Sequence, residues 1–357
     1  MKRLLRMLVL CLVSGLLMSC THLYLYMGDH GTYELKRCNV DLDPGHMTEL
    51  VHLNKGGATW YLFVDSDPPR MFWHGEKAGT DYPVFWSDLD GSNVKHTTIR
   101  GLRRMYLDPD NDRIVYEVLS SGIYILRAKN YTQFGTNEFT ELCTSAYPFS
   151  KIVVNPNNCG KIYWIETRET EECYLRELDI VTGTMTERIN SVDHPFVKKI
   201  WRMMIDPGSH YVYWSQNLIG SVDDMVARAN YIDGSGYEPW IYNLPGESLL
   251  ASYPSQIAID YVENRLYWAD MNMNWIASAK MSGQTIEDRD FRVLVHYPLD
   301  QQTNGPNYHP TSIVLARIKG CMRDASVDIE STSHNTNHLP PDYKPPVADP
   351  GFVYPFE

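Results

Sequence analysis

Short apolar alternations, each bounded by a polar turn cluster, recur along most of the chain. The clearest set lies at 257–283 (IAIDYVENRLYWADMNMNWIASAKMSG). It reads as a strand ending in Asp260, a tight turn, and a second strand carrying Tyr267 and Trp268. A third strand at 276–281 and a fourth at 291–297 (FRVLVHY) follow. Four consecutive short strands joined by turns predict one antiparallel sheet. The same order recurs upstream in MMIDPGSHYVYWSQ (203–216), IVVNPNNCGKIYWIE (152–166), MYLDPDNDRIVYEV (105–118) and LFVDSDPPRMFWHG (62–75).

The residue before each first turn is Asp65, Asp108, Asn155, Asp206 or Asp260, at spacings of 43, 47, 51 and 54. A period near fifty residues indicates a propeller or array, because one such sheet cannot bury both of its faces alone. The chain ends complete the ring. Residues 23–40 and 47–54 read as second, third and fourth strands with no first, and 309–316 (HPTSIVLA) as a first strand with no successors. Together they predict a sixth blade whose inner strand comes from the C-terminal side, which leaves no open sheet edge between the ends. The fold class is therefore all-β, a six-bladed propeller of four-stranded antiparallel blades. Its second strands carry Tyr26, Trp73, Tyr116, Trp164, Trp214 and Trp268. Recurrence at one strand position makes these packing residues between blades rather than a stacking site for a ligand.

At these residues the chain resembles the YWTD six-bladed propellers of the low-density-lipoprotein-receptor class. Leu266-Tyr267-Trp268-Ala269-Asp270 is the nearest copy of the motif, and the other blades carry FWHG, VYEV, IYWIE and VYWSQ. The resemblance covers residues 23–318 and implies the same ring closure. The EGF modules and ligand-binding repeats that accompany this propeller in the receptors have no counterpart here.

Composition narrows the setting. Of 357 residues, 43% are hydrophobic and 21% charged, enough apolar content for a folded core. The net charge of −12 argues against a nucleic-acid binder. Lys2, Arg3 and Arg6 precede the apolar run 7–18, which suits a signal peptide over 1–20 and a secreted protein. The alternatives are a signal anchor prolonged through residues 23–27 and a lipoprotein-like box at 17–20. Residues 21–321 form the propeller, and 322–357, with six prolines and two cations against six acids, read as a disordered tail. In an oxidising compartment some of Cys38, Cys143, Cys159, Cys173 and Cys321 are expected to pair. Asn130-Tyr131-Thr132 is a glycosylation sequon.

No nucleophile elbow, zinc-protease or phosphate-loop motif is present, so no catalytic residue, metal or cofactor is assigned. The recurring acids read as turn caps, and His194 and His309 as loop histidines. The informative position lies four residues before the strand-end acid. It holds Tyr61, Arg104, Lys151, Arg202, Gln256 and, in the split blade, Ser312. These side chains are expected to ring the channel mouth. Nearby loops bring Trp60, Phe196, Trp201, Tyr253 and Tyr308. Cations rimmed by aromatics have the composition of a protein-binding hot spot. Arg104, Lys151 and Arg202 are expected to face solvent together and to grip an acidic segment of an extracellular protein or peptide, with the propeller monomeric and its mouth site completed by Trp201, Phe196, Tyr61, Gln256 and Tyr308. The competing reading is a calcium-dependent lactonase-type propeller, which needs carboxylates, Asn or His converging on a metal. Mouth positions this basic would repel a cation.

Overall fold

The computed structural model describes residues 21–29, 34–52, 61–66, 68–74, 82–155, 158, 160–168, 172–197, 200–216, 224–242, 250–283, 287–296 and 310–319. The expected leader at 1–20 and tail at 322–357 lie outside them, as do Cys159, Cys321, Trp60, Tyr308 and His309. Among the described residues no helix is long and apolar enough to cross a membrane.

Six four-stranded antiparallel sheets make up a six-bladed β-propeller. The inner strands, in blade order, are Pro310–Lys319, Leu62–Ser66, Leu102–Asp108, Ser150–Val154, Ile200–Asp206 and Pro254–Asp260. Each packs on the next, and the sixth returns to the first. The first blade is the split one. Its inner strand, Pro310–Lys319, pairs antiparallel with Thr21–Asp29, followed outward by Glu34–Asn39 and Asp43–His52. Tyr26 stands opposite Val314 in this closure.

Two-sided burial explains why inner and second strands are apolar on both faces. Leu25, Met27 and Ile313 of the split blade pack on Tyr267 and Ile276 of the sixth, while Tyr24, Tyr26 and Ala316 pack on Trp73 and Phe85 of the second. The six second-strand aromatics are each at most 2% exposed. Trp73 stacks on Phe85 at 5.5 Å, and Trp164 meets Phe149 at 5.1 Å.

The strand-end acids fasten the turns that follow them. Asp108 accepts from Arg113 Nε at 2.7 Å and from Asn111, and Asp206 accepts from Gly208 N and Ser209 Oγ. Asp260 accepts from Val262 N and takes both Arg317 Nε and Nη2, at 3.0 and 2.5 Å, tying the sixth blade to the closing strand. Asp90 and Asp233 likewise accept from the amides of Ser92 and Ser235 within their turns. Glycine is required at both sites: Gly91 has φ +83 with a Cβ position 2.4 Å from Leu50 O, and Gly234 has φ +74 with one 2.8 Å from the His194 ring. His194 is thus half-buried against a turn rather than loose in solvent.

The expected disulfides are not seen at two positions. Cys38 and Cys143 are free thiols in blades 1 and 3, too far apart in the ring to meet, and burial pushes each thiol up to about 12. Cys173 lies 3.9 Å from Thr167 Oγ1.

Candidate functional site: the strand-start end of the channel

Four inner strands break register with their neighbours where they begin. The ladder shifts between Leu102 and Arg104, Ser150 and Val153, Ile200 and Arg202, and Pro254 and Gln256. A β-bulge re-aims the residues at its ends and recurs near functional sites. Here the bulges turn Arg104, Lys151, Arg202 and Gln256 to one end of the channel. Lys151 itself has φ +55, a left-handed backbone conformation that a lysine seldom adopts.

These side chains meet one another. Arg202 donates from Nε to Gln256 Oε1 at 2.8 Å and from Nη1 to Trp201 O at 3.0 Å. Its guanidinium carbon lies 5.2 Å from the Tyr61 ring, contributed by the blade opposite, and 5.7 Å from the Trp201 ring. Lys151 Nζ lies 4.8 Å from the same Trp201 ring, so two cations share one indole. Tyr253 stands edge-on to Trp201 at 6.1 Å, and Tyr61 packs on His74 at 4.7 Å. Arg104 donates from Nη1 to Glu117 Oε1 at 2.7 Å, while Glu117 Oε2 accepts from Phe149 N at 2.6 Å.

Beneath this tier the channel is apolar. Phe63 meets Tyr106 at 5.1 Å, and the Tyr106 hydroxyl reaches Met204 Sδ at 3.9 Å, skipping a blade. At the far mouth a cleft of about 530 Å³ is lined by Val64, Asp65, Asp110, Asp112, Ala316 and Arg317, among others.

Electrostatics separate the three cations. Burial depresses Lys151 well below its ordinary 10.5, helped by Arg202 and Arg104. Burial also lowers Arg202, and Arg104 adds to it. For Arg104 burial acts the same way, but Glu117 and Tyr61 outweigh it and its pKa rises. Burial holds the Glu117 carboxyl above its usual range despite Arg104 and the Phe149 amide.

The cations do not share the expected exposure. Arg202 is 9% exposed, Lys151 is half-buried, and Arg104 is ion-paired. The physical reason is the narrowness of the channel, which makes strand-start side chains converge on the axis instead of fanning into solvent. Phe196 is also elsewhere: it stacks on Tyr237 at 3.9 Å and on Trp214, in the seam between blades 4 and 5. Ser312 is buried on the same tier, and Tyr308 lies outside the described residues.

Two contributors escaped sequence reasoning. Glu117 follows the buried Tyr116 in VYEV, and an acid inside an apolar alternation was its signal. Asp270, the final residue of Tyr267-Trp268-Ala269-Asp270, is fully buried and accepts the amides of Ser252, Tyr253, Asn272 and Met273. It thereby sets the loop that presents Tyr253 to Trp201. Burial raises its pKa against those four donors. Among the described residues no group of three or more His, Cys, Asp or Glu side chains could hold a metal ion.

No protein-family model matches this chain, and no curated protein matches it. Solved structures do. The nidogen/laminin complex includes a chain 14% identical, with TM-score 0.58, covering 84% of this chain and all of that one. TolB from Acinetobacter baumannii is 11% identical at TM-score 0.58, over 84% of this chain and 67% of that one. A putative 6-phosphogluconolactonase from Bacteroides fragilis is 12% identical at TM-score 0.50, over 84% and 99%. At these identities the likeness is one of fold.

Proposed function

We propose that this chain is a secreted, YWTD-like propeller that binds an extracellular protein or peptide on its strand-start face without catalysing a reaction. The observation that carries the reading is the cation–aromatic plate: Lys151 and Arg202 share Trp201, and Arg202 reaches Tyr61 across the channel. Arginine and large aromatics are the residues enriched where binding energy concentrates. An acidic segment suits the plate, with its carboxylates toward the cations and an apolar side chain on Trp201 and Tyr253. The likeness to a propeller solved in a nidogen/laminin complex supports a partner of protein class. The charge of the tier disfavours the calcium-dependent hydrolase, since a divalent ion would be repelled. Asn130, exposed at the end of Ile123–Asn130, is the proposed glycosylation acceptor.

The test is cross-linking capture from extracellular fluid, comparing the full chain with a Lys151→Glu, Arg104→Glu variant of unchanged melting temperature. A partner retained by the former and lost by the latter, with binding that weakens as salt rises, supports the reading. Equal capture by both proteins, or stoichiometric calcium binding with esterase turnover, overturns it.

A further inference from the structure

Lys151 stands where an ammonium is poorly supported. Its backbone holds φ +55 at the bulge between Ser150 and Val153, which opens the inner strand of the fourth blade. Residues with a Cβ seldom adopt that conformation, and such strain collects at functional sites. Nζ lies 4.8 Å from the centroid of the Trp201 ring, and the Arg202 guanidinium carbon lies 5.7 Å from the same ring. The inner strands on either side each bring a cation, Arg104 before it and Arg202 after it, and both disfavour its proton. Cys173, on a neighbouring strand of the same blade, acts the other way and least of all. Glu117, the acid of this tier, is engaged by Arg104 and the Phe149 amide. The side chain is half-buried rather than sealed, so solvent reaches it.

The other lysines of the described blades are held differently. Lys161 pairs with Glu177 at 2.6 Å, Lys36 with Glu34 at 2.7 Å, and Lys280 with Asp290 at 3.8 Å. Lys129 donates to the carbonyls of Thr136 and Glu138. Among the described residues Lys151 instead meets an indole face and two guanidiniums. A lysine attacks only without its proton, and apolar surroundings and an adjacent cation are the two devices that remove it. Both operate here: burial first, then Arg202 and Arg104, hold Lys151 well below its ordinary 10.5.

We propose that Lys151 is a nucleophilic amine that captures aldehydes as imines at the channel mouth. The inference is independent of the docking reading, because it concerns the chain without a partner. The amine lone pair forms a bond to the carbonyl carbon, and a proton passes from nitrogen to the carbonyl oxygen. The resulting carbinolamine loses that oxygen as water, taking the second amine hydrogen, as the C=N bond forms. No oxidant or reductant is consumed. Trp201, with Tyr253 edge-on to it at 6.1 Å, favours an aldehyde that carries an aromatic group.

The full chain at pH 7 is treated with benzaldehyde and, separately, with acetaldehyde. Sodium cyanoborohydride is present to reduce any imine to a stable secondary amine. Peptide mapping by mass spectrometry then gives the rate at each lysine. Lys151 is expected to react at least about tenfold faster than Lys280, because each pKa unit lost raises the free-amine fraction about tenfold. Lys280, 51% side-chain exposed, is the internal standard. The advantage should shrink as pH climbs toward 10.5, where ordinary lysines also become free amines. It should be larger with benzaldehyde than with acetaldehyde. Lys151→Arg should abolish the fast adduct, and if that variant folds poorly, the ratio of Lys151 to Lys280 in the parent still decides. Equal rates at the two lysines at pH 7, a ratio independent of pH, no preference between the aldehydes, or a fast adduct that persists in Lys151→Arg overturns the proposal. Partner capture is a separate readout, so its failure leaves the imine result standing, and the converse holds.

Discussion

The two mouths of the channel are built from the same six strands, yet they hold opposite charges and put them to different use. At the strand ends the acids recur blade after blade, and the structure consumes them: Asp108 holds Arg113 and Asn111, Asp206 holds Ser209, and Asp260 holds Arg317. At the strand starts the residues vary from Tyr61 to Arg104, Lys151, Arg202, Gln256 and Ser312, and the cations lean on aromatic rings rather than on turns. A position that repeats serves the repeat. A position that varies among the blades, here between Tyr, Arg, Lys, Gln and Ser, is free of that duty.

The largest expected effect falls on neither mouth but on the seam that supports both. Trp268 is fully buried among Trp240, Ile257 and Ala277, and Trp268→Ala should cost about 3–5 kcal/mol by denaturant unfolding. Trp201→Ala, at the strand-start mouth, should cost clearly less. Equal losses would erase the distinction between packing and surface aromatics.

Next in size is the far mouth. Asp260 is 2% side-chain exposed, and Asp260→Ala removes both Arg317 contacts with the turn amide of Val262. A cost of about 2–3 kcal/mol is expected, discounted because Arg317 keeps some water. If the loss were no larger than that of an ordinary surface substitution, the strand-end acids would not be structural and the contrast would collapse.

Much of this contrast was legible in the sequence. The fifty-residue period, the six second-strand aromatics and the complementary strands at the two ends specify the ring, because each blade must bury two faces. The offset of four residues before the strand-end acid also identified the mouth positions. What was hidden is radial. Alternation reports which face a side chain takes, not how far it lies from the axis, so the burial of Arg202 and its reach to Tyr61 could not be read. Bulges left no composition signal either: nothing in SKIVV announces φ +55 at Lys151. The pairing of Arg104 with Glu117 joins residues thirteen apart across a hairpin and appears only once the register is known.

The smallest effect should come from the strand-start cation itself, and its sign is informative. Lys151→Gln removes an ammonium that burial and two guanidiniums disfavour, so stability should stay within about 0.5 kcal/mol of the parent, or rise. Proton linkage sharpens this. The folded-state pKa of Lys151 lies below the ordinary 10.5, so between those two values the unfolded chain binds more protons than the folded one. The parent should therefore gain stability as pH climbs through that window toward 10.5, with the full penalty present below it. The Lys151→Gln protein should lack that increment, leaving a difference in unfolding free energy between the two that narrows with rising pH. A difference independent of pH would mean that Lys151 is solvated like any surface lysine. The strand-start mouth would then be as electrostatically relaxed as the strand-end one.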